Sequence, residues 1–170
     1  MAEKNLIVNN LELNYKGVFN FQEFYRVLGE YAEERGYHRH EKRFEETVKP
    51  NGKEVYAELR MVKKKTEYYS LMITIRIRIK ELHDITLDVG NIPGPFQEGN
   101  LNVVFDAWAT TDYDHRWGMH PFYYFIKSVF HKWIYPLPLE EGFLGEVASD
   151  VQFVYRQIKS HLNLYKYRTR

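Results

Sequence analysis

From position 71 to position 80 the chain keeps a period of two, strictly apolar–polar from Ile73 onward. Leu71, Ile73, Ile75, Ile77 and Ile79 take one side; Met72, Thr74, Arg76, Arg78 and Lys80 take the other. A period of two sustained this long predicts a strand with one dry face. Two charged, strand-like stretches precede it, residues 37–48 and 53–62, and Lys49-Pro50-Asn51-Gly52 between them supplies hairpin turn chemistry. The short connections predict that all three form an antiparallel meander. A briefer alternation marks an early strand over residues 11–15.

Helical spacing appears on both sides of this block. Phe21, Phe24, Leu28 and Tyr31 form one stripe, which predicts a helix over residues 21–34. Asn20 stands where a cap is needed, and Glu23 where a carboxylate can return a hydrogen bond. Gly36 stands where the chain leaves through left-handed geometry. Further on, a short strand is expected over residues 85–89, a loop over the Gly- and Pro-rich residues 90–100, and a strand over 101–109. In that last strand Val103, Phe105 and Ala107 share one face, while Asn102, Val104, Asp106 and Trp108 share the other. Pro121 suits the first turn of an aromatic helix running to about Trp133. Tyr135-Pro136-Leu137-Pro138 breaks it. A final helix covers some or all of residues 140–165, its seam made of Val147, Val151, Val154, Ile158, Leu162 and Tyr165, with Ser149 and Gln152 offering a later start.

This order predicts a single α+β domain over residues 1–170. Its curved antiparallel sheet has about five strands, packed by an N-terminal helix and two C-terminal helices. In layout it resembles helix-grip domains, whose sheet curls around a long C-terminal helix and can enclose a ligand; no sequence motif accompanies that likeness.

Composition narrows the chemistry more than the fold. A chain of 170 residues is long enough to bury its own core without a staple. The absence of cysteine excludes a disulfide scaffold, thiol catalysis and thiolate metal ligation. Residues 1–5 lack the pattern of a signal peptide, and no apolar run approaches the roughly 20 residues of a membrane span. The expected compartment is therefore the cytoplasm, without integral membrane insertion. Net charge is +1, from 24 basic and 23 acidic residues, so global charge does not favour a nucleic-acid partner. Aromatic residues are abundant, with 14 Tyr, 11 Phe and 3 Trp, which suits either a large core or an interface.

Four places can carry function. Asp112, Asp114, His115 and His120 lie between a predicted strand and a predicted helix and offer ligands for a divalent metal, or a base for metal-assisted catalysis. Their spacing matches no established metal motif, and helix capping explains them as well. Arg76, Arg78 and Lys80 share a polar strand face. A neighbouring row could hold Tyr56, Glu58, Arg60 and Val62, and Lys63, Lys64 and Lys65 could extend the basic patch toward RNA. Cross-strand ion pairing with nearby glutamates is the simpler explanation of that face. The aromatic helix presents Tyr124, Lys127, Phe130, Lys132 and Trp133 to a core, to a protein partner or to a membrane or ligand surface. Finally, Ile73, Ile75, Ile77, Val151, Ile158 and Leu162 could line a pocket for a small apolar ligand, or simply fill a core.

No phosphate-binding glycine loop, dinucleotide fingerprint or nucleophile elbow is present. The expectation is therefore a non-enzymatic interaction module without a cofactor, acting as a homo-oligomer or within a protein or ribonucleoprotein complex. RNA binding through the basic sheet face, a small apolar ligand and a metal-assisted enzyme are the alternatives.

Overall fold

The computed structural model describes residues 3–66, 69–89, 92–111 and 138–168. Its elements run β1 (Glu3–Phe19), α1 (Phe21–Glu34), β2 (His38–Lys49), β3 (Gly52–Lys64), β4 (Tyr69–Val89), β5 (Ile92–Thr111) and α2 (Pro138–Arg168). The strands form one antiparallel sheet in the order β1-β5-β4-β3-β2, so the first strand lies beside the last and β1 and β2 are the edges. This is the α+β architecture expected from the alternation, with five strands and helices flanking the sheet.

The boundaries of α1 follow local chemistry. Asn20 is extended, and its side chain accepts a hydrogen bond from the Glu23 amide at 3.1 Å. At the other end Gly36 adopts a φ of +80°, its amide donates to the Glu33 carbonyl, and the Tyr37 amide reaches back to the Ala32 carbonyl. These two bonds satisfy carbonyls that a helix end otherwise leaves open. The β2–β3 hairpin turns through Pro50 and Asn51, with Lys49 paired to Gly52. Gly52 has a φ of +118°, and a Cβ there would stand 3.1 Å from the Glu81 backbone, so both backbone angle and space call for glycine.

Three elements are longer than expected. β1 extends over 17 residues rather than five. β4 continues through a bulge between Lys80 and His83, with Glu81 at a φ of +55°, joining two separately expected strands. Residues 92–100, expected as a loop, belong to β5, with Thr86 opposite Pro95 and Asp88 opposite Pro93. The physical reason is position. The β1 pairing ends at Gln97, so residues 92–96 of β5, which include both prolines, have β4 as their only strand neighbour among the described residues. Proline's missing N–H costs nothing where no strand needs it.

The core lies between the inner sheet face and the helices. Leu71, Ile73, Ile75, Ile77 and Ile79 are 0–1% exposed and meet Leu59, Ala57, Phe105 and Val103 from the neighbouring strands. The α2 seam of Val147, Val151, Val154, Ile158 and Leu162 closes over them and is equally dry. At about 1.5–3 kcal/mol for each fully buried large aliphatic side chain, this layer dominates the fold. The α1 contribution is rotated from the expected stripe: Phe24, Val27, Leu28 and Ala32 are buried, while Phe21 and Tyr31 are only partly so. α1 packs beside α2, where Tyr31 and Arg35 both meet the Phe153 ring. No helix among the described residues is long and apolar enough to cross a membrane.

A candidate anion-binding face

The residues opposite the core face form a second surface, whose composition follows from register. β4 presents Met72, Thr74, Arg76, Arg78 and Lys80. Opposite them β3 places Val62, Arg60, Glu58 and Tyr56, and β5 places Trp108, Asp106, Val104, Asn102 and Asn100. β1 continues the rows with Glu12, Asn14 and Lys16, paired to Val104, Asn102 and Asn100. The row of Tyr56, Glu58, Arg60 and Val62 is the one anticipated from the alternation.

Part of the positive charge here is already answered. The Arg76 guanidinium pairs with the Asp106 carboxylate, which is largely buried, and also reaches the Asn10 side-chain oxygen at 3.2 Å. Asn10 sits at a β1 irregularity with a φ of +49°, and its amide donates to the other Asp106 oxygen at 2.9 Å. The strand irregularity thus makes a cradle that holds Asp106 in place. Lys42 donates to Glu58 at 3.0 Å, and that hydrogen bond holds the Glu58 carboxyl below the usual range against the opposing effect of burial.

Three cations behave differently. Lys16, Arg78 and Lys80 are exposed, and among the described residues no carboxylate lies within ion-pairing distance of any of them. They line a groove of about 520 Å³ together with Asn14, Asn100 and Asn102, with Tyr15 and Leu101 also contributing. Asn102 donates to Asn14 at 2.7 Å, and Asn100 donates to Glu81, at the β4 bulge, at 2.6 Å. The Tyr56 ring flanks Arg78, its centroid 5.8 Å from the guanidinium carbon. The lining supplies positive charge and amide hydrogen bonds. It contains no carboxylate, imidazole or thiol.

The other predicted basic residues separate. Lys63 pairs with Glu146 at 2.8 Å and Asp150 at 3.5 Å, and Lys65 pairs with Glu146 at 2.6 Å, so both join β3 to α2 instead of extending the groove. Asp150 is 3% exposed and also accepts a hydrogen bond from the Tyr37 hydroxyl at 3.1 Å, with Arg35 at 3.6 Å. Burial, then the Asp150 charge and its hydrogen bond, push the Tyr37 hydroxyl pKa well upward. Burial pushes the Glu146 carboxyl up, yet the hydrogen bonds from Lys63 and Lys65 outweigh it and hold that group low. Lys64 is exposed and pairs in register with Ser70.

Asp112, Asp114, His115, His120, Tyr124, Lys127, Phe130, Lys132 and Trp133 lie outside the described residues. Among the described residues, no three histidine, aspartate or glutamate side chains come together as a metal site. The six residues considered for an apolar pocket all belong to one contiguous buried cluster, while the groove lies on the opposite face of the sheet. Sequence reasoning missed Lys16, Asn14 and Asn100. The signal was present for two of them, since extending the alternation of residues 11–15 by one step turns Asn14 and Lys16 outward. No protein-family model, curated protein or solved structure matches the chain.

Proposed function

We propose that this protein is a non-enzymatic binding module whose open sheet face holds the phosphate backbone of single-stranded RNA. The observation that carries this reading is the collection of Lys16, Arg78 and Lys80, without carboxylate partners among the described residues, around one amide-lined groove. Cations on a folded surface ordinarily find acids when acids are abundant, as Arg76 and Lys42 do on this same face. Geometry favours a chain over a single phosphate. Lys16 lies on β1 and the other two cations on β4, with β5 between, so their backbones stand about 10 Å apart. Arg78 and Lys80 are a further ~7 Å apart along their strand. The near-neutral net charge limits the affinity to what this local patch supplies.

The test is fluorescence anisotropy with a labelled single-stranded RNA across a range of salt concentrations. Three phosphate contacts predict a log–log salt slope of about −2, at ~0.7 per contact. Arg78→Ala and Lys80→Ala should each reduce it by ~0.7 while leaving the far-ultraviolet circular dichroism unchanged. Binding without salt dependence, or unaltered by both substitutions, overturns the proposal. Binding of inorganic triphosphate in preference to RNA overturns the RNA assignment and makes the groove a small-anion site.

A further inference from the structure

We propose that the β2 edge is a self-pairing surface, through which a second copy of this chain extends the five-stranded sheet antiparallel across a two-fold axis at Phe44. This goes beyond RNA binding and does not depend on it. β2 is an edge strand of 12 residues, and its outer backbone groups have no strand neighbour among the described residues. Eleven of the 12 positions are exposed. Such an edge is a ready template for another strand unless something blocks it.

Side-chain order along β2 favours one partner and one register. An axis at Phe44 sets each Phe44 beside its copy and each Arg43 opposite the Glu45 of the other chain. The bulge at Lys42 turns that side chain to the outer face, toward Glu58, so the matched stretch ends at Arg43. Arg43 and Glu45 project to the same sheet face, since their β3 partners Glu58 and Tyr56 do. Moving the axis one residue toward the N-terminus puts Arg43 opposite Arg43; moving it one residue toward the C-terminus puts Glu45 opposite Glu45. Like charges directly opposed are destabilising, so the charge order selects the central register. The charge match is confined to these central residues, because the bulge at Lys42 shifts the facing of residues 38–41 by one position. Within each chain Arg43 already pairs with Glu45 at 2.6 Å, so association would share that pair across the axis, with the charges alternating in sign.

Apolar surface is concentrated at the same place. Phe44 is 45% exposed and Val48 75%, which puts two of the large exposed apolar side chains on one edge strand. Phe44 lies 6.4 Å from the Phe21 ring and 6.5 Å from the Tyr25 ring, so α1 supplies an aromatic shelf beside the edge. Hydrogen bonding of Tyr25 to Glu41 at 2.6 Å fixes that shelf against β2. Two-fold pairing joins the two shelves across the Phe44 pair. The edge is ~40 Å long and would bury on the order of 1,000 Å² in total, the lower limit for a specific interface, so the dimer is a weak one.

The test is sedimentation velocity of the full chain from about 1 to 200 µM, with the charge-swapped variants Arg43→Glu and Glu45→Arg and the double variant carrying both. These side chains are half-exposed or more, so the fold should tolerate each change. Wild type is expected to dimerise within this range. Each single swap opposes like charges at two symmetric contacts and should weaken association about tenfold or more. The double swap restores opposite charges and should recover the dimer. A wild-type monomer throughout the range overturns the proposal, as does a dimer indifferent to the single swaps or one the double variant fails to restore.

Discussion

Replacing Asp150 with alanine should destabilise the protein by about 2–4 kcal/mol, several times the effect of the same change at Glu146. Both carboxylates receive Lys63, but their surroundings differ. The Asp150 side chain is 4% exposed and is shared by Tyr37, Arg35 and Lys63, whereas Glu146 is 28% exposed. Asp150→Ala leaves the buried Tyr37 hydroxyl without its acceptor, which costs ~1–3 kcal/mol. Removing one member of a buried ion pair alone costs ~3–5 kcal/mol. That figure must be discounted here, because Lys63 retains Glu146 at 2.8 Å and Arg35 is 38% exposed to water. Glu146→Ala breaks partly exposed pairs and should cost ~0.5–1 kcal/mol. Urea unfolding followed by circular dichroism separates the cases, since with a slope of ~2 kcal/mol/M the Asp150 variant's midpoint falls by about 1–2 M. Equal losses at the two positions, or an Asp150 loss below ~0.5 kcal/mol, would refute the idea that buried charge fastens α2 to the sheet.

Two further outcomes follow from the same geometry. The raised Tyr37 pKa means that the folded state keeps this hydroxyl protonated after the unfolded chain ionises it. Its stabilisation is therefore present below about pH 10 and declines above it by ~1.4 kcal/mol per pH unit. Tyr37→Phe should be the less stable protein at pH 8 and draw level with wild type near pH 11 in urea melts; parallel pH profiles would contradict this. Asp106→Asn should release Arg76 from its carboxylate and add a fourth cation to the row of Arg78 and Lys80. RNA affinity should then rise and the salt slope steepen from about −2 to about −3, at ~0.7 per contact, and an unchanged slope would show that Arg76 lies beyond the ligand's reach.

What could be read from the chain was what a short repeat imposes. The isoleucine alternation of β4, the Asn20 and Gly36 ends of α1 and the α2 seam depend on neighbours within a few residues, and each formed as its period required. Residues 92–100 misled because their glycines and prolines carry local information, whereas their strand character depends on distant partners: β4 alongside 92–96, and β1 as well from Gln97 onward. The candidate site divided along the same line. That Arg76, Arg78 and Lys80 share a face follows from period two. That Arg76 is neutralised depends on Asp106, 30 residues away, and on the positive-φ Asn10 of another strand. Lys16 joins the groove through the β1–β5 pairing, between the first and last strands of the sheet.

Charge on this sheet is best understood by location. The structural cations lie where water is scarce: Lys63 beneath α2 and Arg76 against Asp106 each complete a buried carboxylate's surroundings. Lys16, Arg78 and Lys80 support no carboxylate among the described residues and stand in water, so the fold gains little from keeping them together. Their mutual repulsion is a small cost that the proposed anionic ligand would reverse. On the β2 edge Arg43 and Glu45 flank Phe44 with opposite charges, which a two-fold axis there would set against each other. A two-fold axis at Phe44 perpendicular to the sheet keeps both outer faces on one side. The two grooves would then sit seven strand spacings apart, about 34 Å. A single RNA strand long enough to reach both would bind the second groove as an intramolecular event, so two modest patches could give substantial avidity without a basic excess in the chain as a whole.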